Sequence, residues 1–271
     1  MSLQNTQEAV EEAAERLLAA QRDRRPTSPV RDLIGSTDID AAYRVQQRII
    51  AARMDQGAKV VGRKIGITSE AVQRQVGVDQ PDFGVLLDDM QFDTGASIPT
   101  ETLLQPRAEV EIAFVLREDI DGELTAAELR AAVEYASPAI EIVDSRVRDW
   151  DITITDTVAD NASSGAFVLG LARLPLHDFE PREVTMTLRQ NGEEVSSGVG
   201  AACLGDPLAA LAWLARAANQ YGSPLRAGDI ILSGALGKLA PISPGDTLEA
   251  IIEPLGTVTA SFAQGGASDP N

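Results

Sequence analysis

A chain of 271 residues, 44% hydrophobic and 24% charged, is long enough to enclose one sizeable core. Its composition is that of an ordinary globular protein, which excludes a disordered chain or a fibrous one. The formal net charge of -18 is interrupted by no cluster of Lys and Arg, so nucleic acid is not an expected partner, and an anionic ligand needs a local positive charge at its site.

No run approaches the ~20 apolar residues of a membrane span. Met1 to Arg24 is polar and acidic where a signal peptide is basic and then apolar, so a cytoplasmic protein without membrane contact is expected. Cys203 is the single cysteine and His177 the single histidine. That excludes an internal disulfide, a histidine-rich zinc site, and a catalytic triad except through His177.

In chain order, Asn5 with Glu8 forms a capping-box pattern ahead of Val10, Leu17 and Leu18, predicting a first helix. Met1, Ser2 and Leu3 are read as an expression remnant. Arg24 to Gly35 reads as a connection. A second helix is predicted over Asp38 to Met54, with Tyr43, Val45, Ile49 and Ile50 near one face and a stop before Gly57. From Val60 short β-type segments alternate with Gly, Pro and Asp, and two further helices are expected. One begins at Thr125, boxed by Glu128, and the other at Asp206 with Pro207 in its first turn.

Asn191-Gly192 is a hairpin signal between Val184–Leu188 and Glu194–Ser196, and strands follow at Ile230–Leu232, Thr247–Ile252 and Val258–Phe262. Helices first and then many strands suggest an α+β fold: a mixed β-roll over 59–264 carrying an N-terminal helical layer over 1–58, with 265–271 a disordered tail.

The segment Arg107 to Leu116 reads as a strand, whose period of two turns Glu109 and Glu111 to one face and Val110 and Ile112 to the other. A solvated strand face is the alternative. The apolar run Ile112 to Leu116 favours burial, where adjacent carboxylates need a cation or a shared proton. Glu141, flanked by Ile140 and Ile142, has a similar setting. Three carboxylates suit Mg²⁺ or Mn²⁺ and leave positions open for a substrate.

Lys64 lies on a short apolar strand between Gly62 and Gly66 and is either a surface lysine or the positive charge an anionic substrate requires. Asp82 in Pro81-Asp82-Phe83-Gly84, and Ser163 and Ser164 in a polar loop, carry no signal of their own beyond turns. Ser233 to Gly237 is a glycine-rich loop expected to line a site. Gly198-Val199-Gly200 lacks the third glycine of a dinucleotide fingerprint, and no P-loop is present.

Several blocks, in one order along most of the chain, carry a resemblance. They are Lys64-Ile65-Gly66-Ile67-Thr68-Ser69, Gly77 to Gly84, Pro106 to Ala113, Pro138-Ala139-Ile140-Glu141, Ser145 to Trp150, Asp156 to Ser164 and Gly228 to Gly237. With these the sequence resembles the 2-keto-4-pentenoate hydratases of the fumarylacetoacetate hydrolase superfamily, enzymes of aromatic meta-cleavage catabolism.

The resemblance implies the mixed β-sandwich roll of that superfamily. It also implies Mg²⁺ or Mn²⁺ on Glu109, Glu111 and Glu141, Lys64 and Asp82 as acid-base groups at the substrate, and Ser163 at the substrate's carboxylate end. A homo-oligomer, pentamer or decamer, is implied too. The expected reaction is hydration of a small anionic dienoate, 2-hydroxypenta-2,4-dienoate or a close homologue, to a 4-hydroxy-2-oxo acid. The alternatives are a 4-oxalocrotonate-type decarboxylase, or a non-catalytic subunit in complex with such a decarboxylase. A carbon-carbon bond hydrolase fits less well, because His177 is poorly placed as its base.

Overall fold

The structure, a computed structural model, describes residues 3–69, 73 and 80–264. The expectations for Met1 and Ser2, for Gly77 to Asp79 and for 265–271 lie outside the described residues.

Two long helices open the chain, α1 (Leu3–Arg22) and α3 (Ile39–Asp55), with a single turn α2 (Arg31–Ile34) between them. The backbone is already helical at Leu3, so Asn5 lies inside the first turn and not at its cap. In α3 the Asp38 side chain accepts the Ala41 N–H at 2.8 Å, and Gly57, at φ 106, follows its end. Its buried face carries Tyr43, Val45, Ile49 and Ile50, as the apolar spacing predicts. Val10, Ala13, Ala14 and Leu17 of α1 join α3 and the sheets in one continuous core, so the helices form a layer on that core. Among the described residues no helix is long and apolar enough to cross a membrane.

The strands are β1 (Val60–Gly66), β2 (Asp82–Leu87), β3 (Gln91–Asp93), β4 (Ser97–Ile98), β5 (Pro106–Leu116), β6 (Val133–Asp144), β7 (Ser164–Leu169), β8 (Thr185–Gln190), β9 (Glu193–Val199), β10 (Ile230–Leu232), β11 (Ala240–Pro241), β12 (Thr247–Glu253) and β13 (Gly256–Phe262). They form two mixed sheets, ordered β2-β1-β10-β5-β6-β7-β3, with β11 beside β5, and β4-β13-β12-β8-β9. The strand β1 runs parallel to β10, and a side chain at Gly62 would collide with the carbonyl of Ile230, which is why that position is glycine. The hairpin turns at Asn191 and Gly192, both left-handed (φ 55 and 86), as a two-residue loop requires.

Helix α4 (Ala126–Ala132) starts on the Thr125–Glu128 capping box, and α6 (Pro207–Gln220) is capped by Asp206, whose side chain accepts the Leu208 N–H at 2.9 Å. The expectation of only two helices after Val60 misses α5 (Ile154–Ala159). This helix is fully buried despite two Thr and one Asp in its six residues, so it shows no amphipathic stripe. Asp156 explains its burial. That carboxylate accepts N–H bonds from Val30 and Arg31 at 2.9 Å, from the Arg31 guanidinium at 2.6 Å, and from Thr153 N–H and O–H at 2.9 Å. It thus ties the connection before α2 to the body of the fold.

Candidate active site

The long antiparallel pair β5–β6 sets Glu109 directly opposite Glu141 in register, with Glu111 two residues further along the same face. Val110 and Ile112 turn the other way into the core. Glu111 and Glu141 are fully buried, Glu109 is half-buried, and one oxygen from each lies within 4.8 Å of the others. The Gly234 N–H donates to Glu111 Oε2 at 2.7 Å, so the glycine-rich loop after β10 supports the cluster from its side. Glu111 Oε1 and both oxygens of Glu141 have no hydrogen-bond partner among the described residues.

Lys64 reaches in from β1, 2% exposed, and its Nζ lies 3.0 Å from Glu141 Oε1, a charge contact without hydrogen-bond angles. Asp82 opens β2 opposite Gly66, 1% exposed. Its Oδ2 accepts the Thr157 hydroxyl at 3.1 Å, while Oδ1 has no hydrogen-bond partner among the described residues. A side chain at Gly66 would strike Asp82 Oδ1 and approach Lys64 Nζ to 3.7 Å, so this glycine makes the room in which the two functional groups meet.

Ser163 comes from a turn in which Asn161, Ala162 and Ser163 are all left-handed (φ 54, 49 and 54). The turn is held because the Asn161 amide pairs with the edge of β2 as another strand would, accepting Val85 N–H at 2.7 Å and donating to Val85 O at 2.9 Å. Behind it, Arg146 grips Asp160 at 2.5 Å and donates to the carbonyls of Asp144 and Ser164 at 2.6 and 2.8 Å. Ser163 is 3% exposed and its hydroxyl has no hydrogen-bond partner among the described residues. Such strain persists where the surroundings over-determine it, and here it accompanies a serine facing a pocket.

The cavity has a volume of about 280 Å³. Lys64, Asp82, Glu109 and Ser163 line it together, while Glu111 and Glu141 stand behind Glu109. Arg107, Trp150, Ile152, Thr157 and Leu239 also line it and were not singled out from the sequence. Periodicity turns Arg107 to the face of Glu109, which was the signal available. Thr157 showed none, lying on the helix the sequence concealed. His177 is exposed on a different surface, beside Asp178. Cys203 is buried, its thiol pushed up by burial and donating to Ser233 O at 2.8 Å, so it is an inert core residue.

The C-terminal domain model of fumarylacetoacetate (FAA) hydrolase matches residues 59–263. The chain belongs to the fumarylacetoacetate hydrolase family. Among the relatives of this family member, a "TodF product hydratase" of Pseudomonas putida is 53% identical, with 94% of this chain and 96% of that protein covered. A "2-keto-4-pentenoate hydratase" of Paraburkholderia xenovorans is 49% identical, covering 93% and 94%. A "2-hydroxyhexa-2,4-dienoate hydratase" of Comamonas testosteroni is 40% identical, covering 94% and 98%. A 4-oxalocrotonate decarboxylase structure from Pseudomonas putida, complexed with magnesium and adipate, superposes with a TM-score of 0.91 at 32% identity, covering 94% and 98%. The fold is therefore that of the family, as the resemblance implied.

In this family member the donor set fits a divalent cation. Three carboxylates converge, and three of their buried oxygens accept no hydrogen bond among the described residues; oxygen-only ligands of this kind select hard cations. Without a cation the cluster retains protons. Burial, then Glu141, raise the Glu109 carboxyl to about 7 against the pull of Lys64, and burial with its two glutamate neighbours raises Glu111 well above the usual range. Burial opposes the charge on Lys64, yet Glu141, Glu109, Asp82 and Glu111 together outweigh it and hold the ammonium above the ordinary lysine range. Burial raises Asp82, with Lys64 and Thr157 opposing.

Proposed function

We propose that this chain is a hydro-lyase that adds water to 2-hydroxypenta-2,4-dienoate or a close homologue, giving 4-hydroxy-2-oxopentanoate in aromatic meta-cleavage catabolism. The observation that carries the reading is the convergence of Lys64, Asp82 and Glu109 in one pocket, with Glu111 and Glu141 clustered behind Glu109, in a chain about half identical to proteins named as hydratases.

Glu109, Glu111 and Glu141 would hold Mg²⁺ or Mn²⁺. When bound, the cation supplies Lewis-acid stabilisation of negative charge on the substrate's C2 oxygen and carboxylate. Lys64, held charged by its carboxylate neighbours, is the proton donor. Lys64 gives a proton to C5 and recovers the one that the enol hydroxyl loses, which converts the dienol to a 2-oxo-3-enoate. Asp82, with Thr157 orienting one oxygen, draws a proton from water as the water oxygen bonds to C4. Delivery of that proton from Asp82 to C3 completes a net gain of one water. Ser163 donates its hydroxyl to the substrate's carboxylate end, and Ile152 and Leu239 bound the space around a short tail.

The decarboxylase likeness supports a second reading, loss of CO₂ from a longer dicarboxylate. Identity favours hydration, at 32% to that decarboxylase against 40 to 53% to the hydratases cited. We also propose a homo-oligomer, pentamer or decamer, which light scattering would size. A complex with a decarboxylase would be found by co-purification. The deciding experiment follows the ultraviolet absorbance of freshly generated 2-hydroxypenta-2,4-dienoate with Mg²⁺, Mn²⁺ or chelator, and weighs the product. Cation-dependent gain of one water is expected. No turnover, with CO₂ released from 2-oxohex-3-enedioate, would replace hydration by decarboxylation.

A further inference from the structure

The pocket contains a second cation that the proton transfers leave unused. Arg107 stands two residues before Glu109 on β5, so it shares that face, and it lines the cavity. Among the described residues its guanidinium makes no hydrogen bond and no ion pair. Its contact is the ring of Trp150, 4.3 Å from the centroid. The other enclosed arginines differ. Arg146 pairs with Asp160, Arg31 with Asp151 and Asp156, and Arg63 donates to Gly62 O and the Ser223 hydroxyl. In a chain with 41 acidic residues against 23 basic ones, a pocket guanidinium without a carboxylate partner is matched to an anion from outside the chain.

The wall behind it is fixed. Asp149 and Trp150 are both left-handed (φ 58 and 55), a conformation unfavourable to residues with side chains. Gln105 holds them there. Its Oε1 accepts the Asp149 N–H at 2.7 Å, its carbonyl accepts the Trp150 indole N–H at 3.1 Å, and its amide donates to Ser145 O and Val147 O at 2.9 and 2.8 Å. Trp150 is thereby a rigid plate, and Arg107 lies against it with its donor fork oriented before any ligand arrives.

Resting on the hydratase reading, we infer that Arg107 takes the C1 carboxylate of the substrate through its guanidinium fork, with Trp150 as its support and Ser163 as a further donor. It supplies a local positive charge where a net charge of -18 repels an anion at long range. Arg107 is then a binding residue. It sets specificity for acids and exchanges no proton.

The test uses three saturated analogues, 2-oxopentanoate, its uncharged amide and the longer 2-oxohexanedioate, titrated calorimetrically into Mn²⁺-loaded protein. Wild type is expected to prefer the acid, and Arg107→Met to lose about tenfold to hundredfold of that preference while Mn²⁺ affinity is unchanged. Arg107→Lys, which keeps the charge and loses the fork, is expected to fall between them and carries the comparison if Arg107→Met fails to fold. An unchanged acid-to-amide ratio overturns the inference. So does a loss confined to 2-oxohexanedioate, which would put a distal carboxylate at Arg107. Failure of the hydratase reading would show separately, as wild-type protein that binds the oxo acid yet adds no water to the dienoate.

Discussion

Lys64 Nζ lies 3.0 Å from Glu141 Oε1, with both side chains enclosed at 2% and 0% exposure. Neither charge is tolerable there alone, and the pair sits among Glu109, Glu111 and Asp82, so the ammonium neutralises a cluster as well as one partner. Removing one member of a buried pair costs about 3–5 kcal/mol. Lys64→Ala is therefore expected to unfold at lower urea than wild type in the metal-free state, with the gap narrowing when Mn²⁺ is added. It should also lower kcat by ~10² or more, as should Asp82→Ala. Near-wild-type turnover in both folded variants would refute their catalytic roles.

Cation affinity should depend on pH through Glu109. Its carboxyl is raised to about 7 by burial and by Glu141, so below that value a cation must displace a proton to bind. Apparent Mn²⁺ affinity is expected to fall by about tenfold per pH unit for each proton displaced as pH drops below about 7, with proton release visible as a buffer-dependent heat. The same shift has the opposite sign for the metal-free fold. Glu109 then holds a proton that the unfolded chain releases near 4.3, so this group's contribution to stability falls as pH rises from there to about 7. Affinity that is flat from pH 5.5 to 8 would remove Glu109 from the ligand set.

Gly66→Ala is a one-methyl test of the roles proposed for Lys64 and Asp82. The added carbon would meet Asp82 Oδ1 on the adjacent strand, so the carboxylate must shift from its position. The expected result is a loss in kcat comparable to Asp82→Ala, with Mn²⁺ binding kept, because the glutamate cluster sits on β5 and β6. Full activity would mean that Asp82 Oδ1 is not needed where it stands.

Asp156→Ala tests the anchoring of the N-terminal layer. Five donors lose their acceptor at once. About 3 kcal/mol of destabilisation is expected from breaking a buried charged network. Limited proteolysis should then cut between Arg24 and Gly35 sooner than in wild type, and an unchanged urea midpoint would count against this anchor.

Patterns of short range were legible in the chain itself. The start of the second helix near Asp38, the Thr125–Glu128 box, the Asn191-Gly192 hairpin and the alternation through Glu109 and Glu111 each depend on neighbours within a few residues, and each appears where its pattern predicts. Helix α5 did not announce itself, because it is buried on all sides and its polar Asp156 and Thr157 are satisfied in large part by Val30, Arg31 and Asp82, far away in the chain, which leaves no periodic signal.

By itself the sequence determined which strands carry carboxylates and which residues turn to a common face, because backbone periodicity is a local property. Only the tertiary structure decided that β5 and β6 pair with Glu109 opposite Glu141, that Lys64 enters from β1 to meet them, and that Arg107 stands without an acid partner among the described residues. Charge compensation across a sheet depends on register and on side-chain reach between segments far apart in the chain, and neither is written in any one of them.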